Sequence, residues 1–204
     1  MAQQLVLTPD ALDRARDLLL QGGIVVFPTD TVYGVGALPS LPDAVARLFV
    51  AKNRPEDKAI PYLIADVADL DRVGIDITAA ARRLAERFWP GGLTIVVERR
   101  ELRGDLPPTV AVRLPALPLA RDLIRAAGGV LAVTSANISG GSNCSTAEEV
   151  LAQLAGRVDA VIDGGRCPGG TESTVVDATA EAVRVLRVGA VSPAALAEIV
   201  ELVP

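Results

Sequence analysis

Short runs of Val, Ile, Leu and Ala recur along the chain, divided by polar and glycine-bearing breaks. Residues 24–27, 60–65, 93–98, 109–114, 130–133, 158–162, 173–177 and 183–188 have the length and aliphatic content of strands, the first of them a buried one. Helical signals fall between them. Thr8-Pro9-Asp10 supplies an N-cap, a first-turn proline and a first-turn acid for a helix that Gly22-Gly23 closes. A second helix begins near residues 40–43 and stops before a cationic loop. A third runs from Thr78 to Trp89-Pro90-Gly91-Gly92, and residues 118–127 form another. Thr146-Ala147-Glu148-Glu149 has the spacing of a capping box and predicts a helix to Leu154. Ser192-Pro193 opens the last helix. Strand and helix signals interleave without strict alternation, and two late strands follow each other closely. The expected class is therefore α/β (α+β), a twisted, mixed, partly parallel open sheet flanked by helices.

Composition narrows this picture. At 204 residues and 50% hydrophobic content the chain fits one domain, 1–204, with ample core. Aromatics are only 3%, so that core is built from Ala, Val, Leu and Ile, as in sheets covered by helices. A mean hydropathy of +0.37 raises the question of a membrane. No apolar run approaches the roughly 18 residues of a spanning helix. Residues 1–10 lack the basic start and apolar middle of a signal peptide, so a cytoplasmic protein is expected, with no membrane partner. Cys144 and Cys167 fit neither metal-knuckle nor disulfide spacing and read as reduced structural thiols. Histidine is absent altogether. That excludes Ser-His-Asp and Cys-His catalysis, zincin-type metal sites and an imidazole base, and leaves Lys, Arg, hydroxyls, amides, carboxylates and backbone donors.

Charge then singles out one segment. Lys52-Asn53-Arg54-Pro55-Glu56-Asp57-Lys58 places three cations in seven residues of a chain whose net charge is -5. Pro55 biases Arg54 away from helical geometry and stiffens the loop. On composition alone a solvated basic loop and an anion site both account for it. Arginine suits two-point binding of carboxylate or phosphate, and lysine offers a compact charge. Neither a Walker loop nor a Gly-x-Gly-x-x-Gly turn is present, so a nucleotide needs another cradle. Thr134-Ser135-Ala136-Asn137 follows the strand at 130–133 and sets hydroxyls and an amide at a strand end, where open α/β sheets bind ligands; a polar turn accounts for it equally. Gly140-Gly141, Gly164-Gly165 and Gly169-Gly170 read as loops of close backbone approach or as tight turns.

Seven segments, taken in order, resemble the YrdC-like L-threonylcarbamoyladenylate synthase family of single-domain TsaC type, from about Gly22 to Gly189. They are Pro28-Thr29-Asp30-Thr31-Val32-Tyr33-Gly34, Lys52-x-Arg54-Pro55-x-x-Lys58, Trp89-Pro90-Gly91-Gly92-Leu93-Thr94, Val112-Arg113-Leu114-Pro115, Thr134-Ser135-Ala136-Asn137-x-Ser139-Gly140, Asp163-Gly164-Gly165 and Ser173-Thr174-Val175-Val176-Asp177. The resemblance implies a nucleotidyltransferase with a YrdC-like fold. It would condense L-threonine, bicarbonate and ATP, with Mg2+ carried by the triphosphate, into threonylcarbamoyl-AMP and pyrophosphate. Downstream enzymes would transfer the threonylcarbamoyl group to adenosine beside the tRNA anticodon. Carried over by motif, Lys52, Arg54, Ser135 and Asn137 are the catalytic group. Arg54, Lys58, Thr109, Asn137, Ser145 and Arg187 hold ATP, while Thr31, Arg113, Ser135 and Ser173 hold threonine. Arg113 is the natural partner of the amino-acid carboxylate.

Several positions depart from the family. Many relatives carry proline where this chain has Ala59 and Gly92 and histidine near Leu117, and some place near Leu63 a histidine that contacts threonine; the absence of both histidines bears on threonine recognition. Because the sequence stops at Pro204, the longer relatives' extra C-terminal domain is not expected. Other readings are a non-catalytic RNA-binding or regulatory paralogue and a carbamoyl-adenylate-forming enzyme. An acidic pI of about 4.8 and scarce aromatics set any RNA binding as weak.

Overall fold

The expected strands and helices condense around one mixed sheet. The computed structural model describes residues 5–8, 11–100 and 106–204. In chain order its elements are β1 (Leu5–Leu7), α1 (Leu12–Leu20), β2 (Val25–Phe27), β3 (Gly34–Ala37), α2 (Pro42–Lys52) and β4 (Tyr62–Ile64). A 3-10 turn (Val67–Asp69), α3 (Leu70–Val73), α4 (Ala79–Phe88), β5 (Leu93–Glu98), β6 (Thr109–Arg113), α5 (Pro118–Ala126) and β7 (Val130–Ser135) follow. The chain ends with α6 (Ala147–Leu154), β8 (Ala160–Ile162), β9 (Thr174–Asp177), β10 (Val183–Arg187), α7 (Pro193–Ala197) and β11 (Leu202–Val203).

Among the described residues the sheet has eleven strands in the order β1-β8-β2-β3-β7-β4-β6-β5-β9-β10-β11. The pairs β1–β8, β8–β2, β4–β6, β5–β9 and β10–β11 are parallel. The other five are antiparallel, which is the mixed, partly parallel sheet expected. Aliphatic side chains bury both faces. Leu48 of α2 and Val150 of α6 pack on one face against Val26 and Val35, and Leu19 of α1 and Leu123 of α5 pack on the other against Val25 and Leu131. In the second half of the sheet, Leu84 of α4 and Leu196 of α7 cover Ile95, Val112 and Val176. Strand alternation then turns Thr94, Ala111, Arg113 and Val175 to the opposite face, where they line a cavity.

Local signals hold where a side chain closes the helix end. Thr78 accepts the Ala81 N–H at 3.0 Å, Ser192 accepts that of Ala195 at 3.2 Å, and Thr146 with Glu149 forms the reciprocal capping box. The first helix differs. It starts at Leu12 behind Ala11, which has no side-chain cap, and Thr8 instead accepts the Ala11 N–H through its carbonyl at 3.0 Å. Pro9 and Asp10 of the expected start lie outside the described residues.

Strands β1, β3 and β11 carried no strand signal in the sequence. β3 is Gly-Val-Gly-Ala, poor in β-branched residues, and it is a strand because its neighbours press on it. A Cβ added at Gly34 would lie 2.8 Å from Val133 Cγ1, and one at Gly36 would meet Phe27 and Val133 at 3.1 Å. Only glycine lets β2 and β7 close on this ribbon. Cys144 and Cys167 are buried and unbridged, and burial pushes both thiols up. Among the described residues no helix is long and apolar enough to cross a membrane.

Candidate functional site

The strand ends of β7, β4, β6, β5 and β9 and the turn before β3 enclose a cavity of about 310 Å³. Its polar lining comes from Thr29, Thr31, Thr94, Thr134, Ser135 and Ser173, and its charges from Arg54, Arg113, Arg187 and Glu172. Pro61, Leu63, Ala111, Val133 and Val175 make an apolar floor. Three guanidinium groups stand against the Glu172 carboxylate of the lining and the Asp30 carboxylate paired with Arg113, and the remaining positive excess attracts anions.

Arg113 is the deepest of the three, at 6% exposure. Its Nε donates to the Gly91 carbonyl at 2.9 Å, its Nη1 to Thr31 Oγ1 at 2.8 Å and its Nη2 to Asp30 Oδ1 at 2.5 Å. A guanidinium carries five N–H groups, so two remain for a guest. Burial lowers the Arg113 pKa and Asp30 opposes that. Asp30 is in turn held by the Ala116 N–H at 3.0 Å. Thr31 is fixed through Thr29, whose Oγ1 lies 3.0 Å from Thr31 Oγ1 and donates to the Val32 carbonyl.

Arg54 and Arg187 stand on the cavity wall. Arg54 leaves α2 after Asn53, which turns the chain with φ 51°. It donates through Nε to Lys58 O at 3.1 Å and through Nη2 to Ala59 O at 2.8 Å, so the loop's own carbonyls aim it. Partial burial lowers its pKa. Arg187 pairs with Glu172 at 2.6 Å and donates to the Ser173 carbonyl through Nη2 at 2.9 Å and to Ser173 Oγ at 3.3 Å. Ser173 Oγ is 2.7 Å from Thr94 Oγ1.

Lys52 lies behind this wall, at 1% exposure. Its ammonium donates to the backbone carbonyls of Ser135 and Asn137, and their side-chain oxygens stand at 3.5 and 3.4 Å. The Lys52 carbonyl accepts the Ser139 N–H at 2.8 Å. The last turn of α2 is thus stitched to the loop after β7. Burial, reinforced by Arg54 and opposed by Glu172, lowers the Lys52 pKa to about 8. Asn137 Nδ2 spends both hydrogens, on Ile138 O at 2.9 Å and Gly141 O at 2.8 Å. Tyr33 is fully buried and tethers the Gly164-Gly165 loop, donating to Gly165 O at 2.7 Å, and burial raises its pKa to about 12.

The residues singled out in the sequence therefore divide. Thr31, Arg54, Arg113, Ser135, Ser173 and Arg187 line the cavity, and Lys52 and Asn137 sit behind it. Lys58, Thr109 and Ser145 are not among its lining residues. Lys58 is exposed on the rim loop. Thr109 begins β6, four residues from Arg113 and so about 13 Å along the strand. The Ser145 hydroxyl donates to Glu149 at 3.0 Å and accepts from Arg166 at 2.9 Å. Sequence reading did not select Asp30, Thr94 or Glu172 for roles. Asp30 and Thr94 lay inside quoted motifs, and a threonine in an otherwise apolar strand was the available signal for Thr94.

A family model covering Sua5, YciO and YrdC, and described as "Telomere recombination", matches residues 17–189. The threonylcarbamoyl-AMP synthase of Pyrococcus abyssi is 41% identical over 170 residues, 81% of this chain and 50% of that protein. The protein of that name from Bacillus subtilis is 38% identical over 186 residues, 88% of this chain and 53% of the other. The crystal structure of P. abyssi Sua5 complexed with L-threonine superposes with a TM-score of 0.90 at 34% identity, over 98% of this chain and 62% of that one. This chain spans about half the length of these curated relatives.

Proposed function

This chain belongs to the Sua5–YciO–YrdC family, and from that premise we propose that it is a threonylcarbamoyl-AMP synthase. It joins L-threonine, bicarbonate and ATP, releasing pyrophosphate and water. The observation that carries this reading is the cavity in which Arg113 keeps two free N–H groups between Leu63 and Thr94, with Arg54 and Arg187 on the wall.

The threonine carboxylate binds the free donors of Arg113, beside Thr31. The amine adds to bicarbonate with loss of water, giving a carbamate. A carbamate oxygen then attacks the α-phosphorus of ATP, the bond to the β-phosphate oxygen breaks, and pyrophosphate leaves. No protein nucleophile and no imidazole are required, which suits a chain without histidine. The protein's task is to bring three anionic groups together. Two like charges about 4 Å apart repel by about 4 kcal/mol at an effective dielectric of about 20, so guanidinium groups already in place remove a large part of the barrier. Arg54 and Arg187 face the triphosphate, and Ser135 supplies a hydroxyl at the strand end. Lys52 and Asn137 hold the Ser135 segment in position from behind. Lys58 on the rim, with Thr109 and Ser145 outside the lining, meets ATP only where the nucleotide extends beyond the cavity.

Magnesium enters as part of the nucleotide. Among the described residues no group of three His, Cys, Asp or Glu side chains could hold a metal, and the one lining carboxylate, Glu172, is committed to Arg187. Phosphates and water would bind the ion. The product is an activated mixed anhydride that a tRNA-modifying transfer enzyme consumes to form threonylcarbamoyladenosine, in the cytoplasm. A sheet shared by all three hydrophobic clusters supports one domain over 1–204.

Pyrophosphate release from ATP, with threonine and bicarbonate each omitted in turn and serine supplied as competitor, tests the reading. Release that needs both, with threonine preferred, is expected. Release independent of threonine, or none from folded protein, overturns it.

A further inference from the structure

The cavity floor cannot by itself tell threonine from an amino acid of similar shape that lacks the hydroxyl. Leu63, Ala111, Val133 and Val175 offer only carbon, and an apolar pocket distinguishes such isosteres poorly. Thr94 breaks this surface. The β4–β6 register sets Leu63 beside Arg113, and the β5–β6 register, with Ile95 opposite Val112, sets Thr94 opposite Arg113 on the other side. Arg113 thus has a hydrocarbon neighbour on one strand and a hydroxyl neighbour on the next, each about 5 Å away.

The hydroxyls of Thr94 and Ser173 are 2.7 Å apart and both residues are buried, at 3% and 7% exposure. Two hydroxyls carry two hydrogens, and the bond between them uses one. Arg187 Nη2 donates to Ser173 Oγ at 3.3 Å and so takes up acceptor capacity, not the second hydrogen. Whichever hydroxyl donates within the pair, one O–H is left without an acceptor among the described residues, on the wall of the cavity. A buried donor that stays unpaired is costly, so this one favours a guest that brings an oxygen.

We propose that Thr94 is a specificity-determining residue: with Ser173 it reads the side-chain hydroxyl of an amino acid whose carboxylate rests on Arg113. The inference rests on the function proposed above and deepens it. In this arrangement Ser173 Oγ donates within the pair, so Thr94 gives its own hydrogen to the substrate hydroxyl oxygen, and the substrate methyl lies on the floor beside Leu63 and Val133. Selection for a β-hydroxy amino acid then comes from one hydrogen bond, and not from shape.

The test compares L-threonine with L-2-aminobutyrate, which lacks only the hydroxyl, by pyrophosphate release from ATP and bicarbonate. Thr94→Val keeps the side chain's shape and removes its hydroxyl. It is expected to raise the KM for threonine about tenfold and to leave that for 2-aminobutyrate within about twofold, so the preference collapses. Thr94→Ser restores the hydroxyl and the preference, which a packing role alone would not do. Thr94→Ala carries the same comparison should the valine variant not fold. A preference that survives in the hydroxyl-free variant, or equal losses for both amino acids, overturns the assignment of Thr94. Absence of threonine-dependent release by the unaltered protein overturns the proposed function and this inference with it.

Discussion

Arg113 and Lys52 are both buried cations, at 6% and 1% exposure, and they differ in what their donors meet. Arg113 has one carboxylate, one hydroxyl and one carbonyl for five N–H groups and keeps two in reserve at the cavity. Lys52 has three N–H groups and four surrounding oxygens, all from Ser135 and Asn137: two backbone carbonyls that accept from it, and two side-chain oxygens at 3.5 and 3.4 Å. Burial of a cation next to a site does not make it a ligand. What decides is whether the fold has already spent its donors.

That contrast can be broken most directly at Arg54, which shares the short 52–58 segment with Lys52 but faces the cavity. Arg54→Ala is expected to lower the rate of adenylate formation about 100-fold or more while leaving the melting temperature near that of the unaltered protein, since loss of one preorganised donor at developing charge costs about that much. Near-normal turnover would remove Arg54 from the site. Arg113→Ala should raise the KM for threonine about 50-fold and that for ATP by less than about threefold, as expected for loss of a charge-assisted carboxylate contact. Equal weakening of both substrates would contradict its assignment to the amino acid.

Lys52→Met should act through structure. A fall of about tenfold in kcat with KM values within about twofold is expected, because the Ser135 segment loses its tether while the ligand contacts remain. Its signature lies in pH. The folded-state pKa of Lys52 is lowered to about 8 from 10.5, so over that window the folded chain binds fewer protons than the unfolded one. The penalty of burying the ammonium is therefore fully present below about pH 8 and is relieved as pH rises toward 10.5, where stability grows. Denaturant midpoints at about pH 7 and about pH 10 should show this rise in the unaltered protein and its loss in Lys52→Met. The smallest effect belongs to Lys58→Ala, a change of about threefold or less in the KM for ATP that disappears at high ionic strength, as for an exposed charge.

Much of the molecule was legible in its linear pattern. The runs at 93–98, 109–114 and 130–133 emerge as β5, β6 and β7, because their aliphatic alternation is the same property that buries one face. Thr78, Thr146 and Ser192 cap helices through bonds three residues away, which a local reading captures. The strand β3 was not legible. Its glycines say nothing of pairing until Phe27 and Val133 are packed against them. The first helix was read from Thr8-Pro9-Asp10, of which Pro9 and Asp10 lie outside the described residues, and the described helix opens at Leu12 behind Ala11 without a side-chain cap.

In the site, residue type and position pointed to Arg54 and Ser135 as candidate ligand groups, because a cation cluster and a strand-end hydroxyl are chemistry that a linear chain displays openly, while Arg113 and Ser173 came only with the family resemblance. The division of labour among them was decided in three dimensions. Arg113 meets Thr31 and Asp30 across 82 and 83 residues, Lys52 meets Asn137 across 85, and Thr94 meets Ser173 across 79. A hydrogen bond consumes a donor wherever its acceptor comes from, and strand order brings these acceptors in from distant segments. The order of residues settled which groups could bind anions and which segments would fold as strands and helices. Only the packed sheet settled which of their hydrogens are left to bind anything.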